Sequence, residues 1–356
     1  MNICFLGDAA SIHVIRWCEF FRDNGDDVSI ISFRDSEIKG VRVYFIGDKI
    51  SVDSKGGNYK YLKKIFIIKK LIKEIKPDIV NCHYLTSYGL IGALLSIKPL
   101  IISTWGTDIL VTPNKNFIYK LLTKYIIRKS DLLTSDSKYM SSKIKVLYSK
   151  SNIITVPMGI DIDVFKSDEN NIYESDIFLS MRTISKNSNI DLIVKAFKKV
   201  VEYSPKVKLI IVNEGDLKEE VLALIEMLDL KENVQYLGAI SRDEVAKLLK
   251  KCSVYISIPT SDSTSVNLLE AMATGTCPIV SNLPANREWI ENNRNGYILE
   301  SLDEKELSEI MKRALNNIEL RDNARKLNIQ IIREKAIWQD NMNYVREQYI
   351  DLKEGL

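Results

Sequence analysis

Histidine is scarce in this 356-residue sequence, and both copies stand where an apolar run gives way to a helical pattern. His13 lies in Gly7-Asp-Ala-Ala-Ser11-Ile-His13-Val-Ile-Arg16-Trp17, and His83 ends Pro77-Asp-Ile-Val-Asn-Cys-His83, ahead of Tyr-Leu-Thr-Ser87-Tyr-Gly89. An unperturbed imidazole exchanges protons near neutrality, and a neutral one offers one donor and one acceptor. A second concentration lies in the other half of the chain, in Ile258-Pro-Thr-Ser-Asp262-Ser263-Thr264-Ser265-Val-Asn-Leu-Leu-Glu270-Ala-Met-Ala-Thr-Gly275. Here a buried apolar run, Val254 to Ile258, is followed by three hydroxyl residues suited to capping, a helix-forming stretch and a glycine stop. A helix that opens at the end of a buried strand aims free N–H groups and its positive dipole end outward, which suits a pyrophosphate. Glu270, about a turn and a half further in, can accept hydrogen bonds from two ribose hydroxyls.

The elements that must position these residues are legible as periodicity. Short apolar, β-branched runs fall at 2–6, 27–33, 78–82, 99–104, 131–135 and 153–157. They resume at 176–181, 207–213, 234–237, 253–258, 277–281 and 296–300. Helical patterns such as 190–203, 217–228 and 242–251 lie between them. This alternation predicts an α/β protein with parallel sheets covered on both faces. The polar stretch 166–175 breaks it once and reads as a linker. The expected plan is two doubly wound Rossmann-like domains, 1–165 and 166–335, facing across a cleft, with a helix over 336–356 that crosses back onto the first domain, anchored by Trp338. Ligands of such sheets bind beyond the carboxyl ends of the strands, where the residues above fall.

Bulk properties narrow the class. Hydrophobic residues make up 46% and charged residues 27%, as in globular chains. No run approaches the roughly 18 apolar residues of a membrane span, and Met-Asn-Ile-Cys-Phe-Leu lacks the basic start of a secretory signal, so a cytoplasmic location is expected. The five cysteines are odd in number and lack C-x-x-C spacing, which argues against a disulfide framework and a zinc site. Residues 1–165 hold 24 Lys and Arg against 16 Asp and Glu, a balance of +8; the rest hold 26 against 31, a balance of −5. A basic first half suits anionic membrane or a pyrophosphate-linked acceptor. Basic amphipathic patterns at 58–76 and 115–129 point to peripheral contact with the inner face of a membrane. No aromatic-basic recognition motif is present, which disfavours nucleic acid. A nicotinamide oxidoreductase is excluded because Gly7-Asp-Ala-Ala-Ser-Ile offers one glycine where G-x-G-x-x-G needs three.

Asp262, seven residues, then Glu270 within Leu-Leu-Glu-Ala-Met-Ala-Thr-Gly resembles the E-x7-E signature of retaining family 4 glycosyltransferases. The resemblance implies the GT-B fold, no cofactor and no metal. It implies that Glu270 holds the ribose and that Asp262, one methylene shorter than the usual Glu, contacts the transferred sugar. Phe178-Leu-Ser-Met-Arg182-Thr-Ile-Ser-Lys186-Asn-Ser188 is similar to the family's phosphate-gripping segment, which assigns Arg182 and Lys186 to the donor phosphates; the family lysine itself falls at Ser188. Gly215 in Val212-Asn-Glu-Gly-Asp-Leu217 and Gly238 in Tyr236-Leu-Gly-Ala-Ile-Ser241 match turns beside the nucleotide, with Ser263, Thr264 and Ser265 completing the donor side. Arg287 and Glu288 match a segment after the next strand.

On the acceptor side, His83 matches the second histidine of P-D-[IV]-[IV]-H-x-H, with Asn81 in place of the first. Its implied role is a hydrogen bond to the reacting sugar or a backbone-orienting contact, not proton abstraction. Thr104-Trp105-Gly-Thr-Asp108 resembles an H-G-x-D loop and joins Trp105 and Asp108 to Ser11 and His13 around the acceptor. Val156-Pro-Met-Gly-Ile-Asp161-Ile-Asp163-Val-Phe165 resembles the segment that closes this domain, so Asp161-Ile-Asp163 is not a metal motif. The expected activity is hexosyl transfer from a nucleotide-sugar, UDP-sugar above others, to a glycan or lipid-linked acceptor in polysaccharide or glycoconjugate assembly. The alternative is a catalytically silent GT-B regulatory or scaffolding subunit.

Overall fold

A computed structural model describes residues 1–47, 59–167 and 174–355. The chain divides into two compact units, Met1–Pro157 with Met342–Leu356, and Met158–Asn341.

The first unit is built on seven parallel strands: β1 (Asn2–Leu6), β2 (Asp27–Ser32), β3 (Arg42–Phe45), β4 (Ile79–His83), β5 (Leu100–Ser103), β6 (Leu132–Ser135) and β7 (Ile153–Thr155). Their order is β3-β2-β1-β4-β5-β6-β7. Successive side chains of a strand serve opposite faces. On β1, Cys4 and Leu6 join the cluster of Ile68, Val80, Ile102 and Ile126. Phe5 turns the other way, onto Phe21 at 5.8 Å between ring centroids. Strand β3 has no counterpart among the apolar runs read from sequence. It is a four-residue edge strand whose side chains are exposed or half-buried, so it lacks the buried run that marks the others.

The second unit has six parallel strands: β8 (Glu174–Ser180), β9 (Lys208–Val212), β10 (Val234–Gly238), β11 (Cys252–Ser257), β12 (Cys277–Ser281) and β13 (Tyr297–Leu299). Their order is β10-β9-β8-β11-β12-β13. Phe178, Val254 and Ile256 fill the core on one face of this sheet. Leu179, Tyr255 and Val280 fill the core on the other. Each sheet therefore reverses its winding once, between β1 and β4 and between β8 and β11, and each reversal leaves a crevice beyond the strand ends.

The units part at Pro157 rather than after residue 165. Ile160 and Phe165 are fully buried in the second unit's core, and Ile160 bridges to Ile337. The apolar members of the segment thus assign it to the second unit. The expected linker lies largely outside the described residues. The last helix, Trp338–Glu354, begins in the second unit and ends in the first. Its anchor there is Tyr349, which stacks on Phe21 at 5.3 Å. Arg346 adds an ion pair to Asp26, whose side chain is fully buried, at 2.8 Å. Trp338, the expected anchor, instead sits in the second unit with its backbone N–H on the Ile160 carbonyl. All five cysteines are free and buried.

Candidate active site

In the second unit, β8 and β11 deliver two loops to the crevice between them. Arg182 leaves β8 and pairs with Asp262 at 2.5 Å. Its guanidinium also reaches the Ser265 hydroxyl at 3.5 Å. Asp262 is fixed in turn by the Ser263 N–H at 3.0 Å. Ser263, Thr264 and Ser265 are buried, and the helix Val266–Thr274 opens after them. Ser265 holds the capping position without a capping hydrogen bond, contrary to the expected N-cap chemistry. Thr264 accepts from the Trp289 indole at 3.4 Å.

The backbone beneath Arg182 is locked by two asparagines. Asn213 and Asn267 both donate to the Met181 carbonyl, at 2.6 and 2.8 Å. Asn213 does so at φ 88°, a left-handed conformation that side chains seldom adopt. Asn187 clips the Arg182 loop to the next one, accepting from the Ser261 N–H at 3.0 Å and donating to its carbonyl at 2.9 Å. Gly215 presses on the same loop: a Cβ there would lie 2.0 Å from the Ile184 carbonyl oxygen. Gly238 holds φ +66° and closes the turn through its carbonyl, which accepts from the Asn213 N–H at 2.7 Å.

Lys186 is not brought to Arg182. It is exposed, and among the described residues no hydrogen bond or ion pair ties it to Arg182, Asp262 or the 263–265 turn. Ser188, where the family lysine falls, is buried and closes the loop by donating to the Thr183 carbonyl at 2.6 Å. Glu270 is 7% exposed. Arg242 stands beside it at 3.9 Å, pairs with Asp161 at 3.6 Å and stacks on Phe165 at 5.1 Å. Sequence reasoning passed over Arg242, yet a signal existed. It opens the helix Arg242–Lys251, where a cation opposes the helix dipole and so calls for another partner. Arg287 pairs with Glu300.

In the first unit the corresponding crevice holds aromatic rings. His83 is the last residue of β4, and His13 is in the first turn of the helix Ile12–Asp23, so each stands at an element's edge rather than in a free loop. The His83 ring is 2% exposed and packs against Phe5 at 5.5 Å, Trp17 at 5.1 Å and Trp105 at 5.5 Å. Both of its nitrogens are without a protein hydrogen-bond partner. Burial, with a smaller contribution from His13, lowers its pKa to about 3. The ring is therefore neutral near pH 7, with one donor and one acceptor unused. His13 contacts Trp105 at 5.3 Å, and burial followed by the Arg16 charge lowers its pKa too. Gly7 makes the packing feasible, since a Cβ there would meet Val14 at 3.2 Å and His83 at 3.4 Å.

Asp108 does not present its carboxylate to an acceptor. It is fully buried and accepts from the backbone N–H groups of Leu85 at 2.9 Å and Trp105 at 3.0 Å. It thus joins the loops after β4 and β5, while burial raises its pKa to about 6 against the pull of those bonds. Tyr84, next to His83, holds φ 78°, and its hydroxyl meets that of Thr107 at 2.8 Å. Asn81 turns away from the site and donates to Ser103 at 3.1 Å. Ser11 caps the helix Ile12–Asp23 by position only. Among the described residues no group of three or more His, Cys, Asp or Glu is placed to hold a metal ion, and no helix is long and apolar enough to cross a membrane.

The family described as Glycosyl transferase 4-like matches residues 2–137, and Glycosyl transferases group 1 matches residues 161–330. The chain is 24% identical, over 80% of each chain, to the N-acetylgalactosamine-N,N'-diacetylbacillosaminyl-diphospho-undecaprenol 4-alpha-N-acetylgalactosaminyltransferase of Campylobacter jejuni. Among solved structures, sucrose-phosphate synthase from Thermosynechococcus elongatus superposes with a TM-score of 0.87 at 14% identity, covering 99% of both chains. Anabaena Alr3699/HepE in complex with UDP and glucose superposes with a TM-score of 0.80 at 16% identity, covering 98% of this chain and 99% of that one.

Proposed function

The chain belongs to the group 1, family 4-like glycosyltransferases, with the GT-B fold, and on that footing we propose that it moves a hexose or hexose derivative from a UDP-sugar to a lipid-linked or glycan acceptor, with retention at the anomeric carbon. The observation that carries the reading is the Arg182–Asp262 pair set against the buried 263–265 turn and the opening of the helix Val266–Thr274. One cation and a row of helix N–H groups suit a diphosphate, and the carboxylate suits a sugar hydroxyl. The UDP bound by the Anabaena neighbour and the diphospho-undecaprenol acceptor named for the Campylobacter relative support the substrate classes.

In this reading Glu270 accepts from the ribose hydroxyls, Arg182 and the helix N–H groups hold the diphosphate, and Asp262 bonds the transferred sugar, while in the first unit His83 keeps one donor and one acceptor for a sugar hydroxyl. The anomeric carbon gains a bond to the acceptor oxygen and loses its bond to the β-phosphate oxygen, which takes the acceptor proton. A covalent enzyme intermediate is not invoked, because Asp262 is committed to Arg182 and Asp108 to backbone N–H groups. Donors fixed before the reaction stabilise the leaving charge without reorganisation, so the reading needs no metal. A lipid-linked acceptor places the work at the cytoplasmic face of a membrane.

The test incubates the purified protein with UDP-, GDP-, ADP-, dTDP- and CMP-sugars in EDTA, with and without a membrane-lipid extract. Release of UDP alone, stimulated by the extract and lost in Glu270→Ala, is the expected result. Silence from every donor, with no nucleotide raising the melting temperature, moves the scaffold reading to the front.

A further inference from the structure

The helix Phe117–Lys129 covers the core of the first unit with Ile126 and Ile127 and turns an unusual face outward. Phe117 is 72%, Ile118 68% and Leu121 50% exposed. These positions, with Tyr125 four residues after Leu121, form one stripe, since residues three and four apart are helical neighbours. Lys120, Lys124 and Arg128 run alongside at the same spacing, and no acidic residue occurs between Ile109 and Ser130.

Isolated exposed leucines are ordinary, but large apolar side chains grouped on one turn and flanked only by cations are not. Lysines of the second unit pair locally, as Lys195 does with Asp191, Lys218 with Glu214 and Lys312 with Glu309. Among the described residues, Lys115, Lys120, Lys124 and Arg128 form no ion pair. The helix Ile65–Ile75 repeats the combination in part, with Phe66 81% exposed beside Lys69, while its Lys70 pairs with Glu74 at 3.7 Å. It packs on the same core cluster through Ile68, so both helices lie on one face of the sheet.

From this juxtaposition we infer that the face formed by Phe117, Ile118, Leu121, Lys120 and Lys124 docks on an anionic phospholipid bilayer. The rings and aliphatic chains enter the headgroup boundary and the cations meet lipid phosphates. A protein partner would need acidic groups matched to this spacing, whereas a bilayer supplies anionic charge and apolar depth wherever the helix lands. The location gives docking a purpose within the proposed activity, on which this last step rests. The helix packs against Tyr84–Gly89, the turn that follows His83 and whose Leu85 is tied to Asp108. Docking therefore holds the acceptor side of the site beside the headgroups, where a lipid-linked acceptor presents its reacting end.

The test is co-sedimentation of the full-length protein with phosphatidylcholine vesicles, with and without phosphatidylglycerol, at low and high salt. Binding to the anionic vesicles alone, weakened by salt and reduced on the order of tenfold both in Phe117→Ser/Ile118→Ser and in Lys120→Gln/Lys124→Gln, is the expected result. Equal binding to both vesicle types, no binding, or binding that neither double variant changes would overturn the inference. UDP titration of the same proteins separates this from the catalytic reading. Vesicle binding without UDP binding sinks the transferase and leaves the docking face standing; UDP binding without vesicle binding does the reverse.

Discussion

The two units carry sheets of one design, but the crevices beyond their strand ends hold unlike chemistry. In the second, the loops after β8 and β11 are fixed by ion pair, asparagine clips and close backbone contact, around a cation. In the first, the loops after β1, β4 and β5 enclose a neutral imidazole among aromatic rings, with two polar atoms unused. Under the proposed activity the two crevices suit different parts of the substrates. A diphosphate is recognised by fixed charge and N–H donors, and any slackness there weakens charge stabilisation. A sugar ring carries no charge, and is met by apolar faces with few hydrogen bonds. Charge follows the same division: the first unit holds 26 Lys and Arg against 17 Asp and Glu, a balance of +9, and the second 24 against 30, a balance of −6.

The comparison breaks most sharply at the charged half. Arg182→Ala is expected to lower nucleotide release from the donor by about 10²–10³-fold, measured under saturating donor, since it removes a preorganised donor to the leaving group. An undiminished rate would mean the diphosphate is held elsewhere. Gly215→Ala comes next. Its Cβ would meet the Ile184 carbonyl carbon at 2.5 Å and its oxygen closer still, so the Arg182 loop must move. A loss of about 1–3 kcal/mol in unfolding free energy is expected, together with weaker UDP binding by calorimetry.

In the aromatic half, Asp108→Asn keeps one acceptor and sets an amide N–H against a backbone N–H. Stability should fall by about 1–3 kcal/mol in denaturant unfolding, with UDP affinity unchanged because the loss lies in the other unit. The His83 effect is a slope, small at neutral pH. Unfolded, His83 takes its proton near pH 6.5; folded, it does so only near pH 3. Between those values the unfolded chain binds the extra proton, so stability falls as pH falls, by about 1.4 kcal/mol per unit at most. His83→Phe should remove one proton's worth of that slope in denaturation series between pH 4 and 7. An unchanged slope would mean the ring is not buried as neutral.

Much of this was legible before folding. Strands buried on both faces read as continuous apolar runs, and only β3, exposed at its edge, escaped. The spacing from Asp262 to Glu270 was legible because one strand exit and one helix carry both residues. The clips were not legible. Asn267 meets Met181 across 86 residues and Asn187 meets Ser261 across 74, and neither contact leaves a local pattern. The resemblance left Lys186 either substituting for the family lysine from a shifted loop or leaving the site one cation fewer; the loop's closure by Ser188 and Asn187, which leaves it exposed, has no local signature either. Trp338 was expected to anchor the tail by its size; Tyr349 does so because the helix crosses units only after Asn341.

The most direct test of the central claim is a calorimetric titration of the protein with UDP in EDTA, repeated on Glu270→Ala. The account predicts saturable binding without metal that weakens at least tenfold in the variant, since Glu270 loses its hydrogen bonds to the ribose. Absence of UDP binding, or equal binding by both proteins, would contradict it.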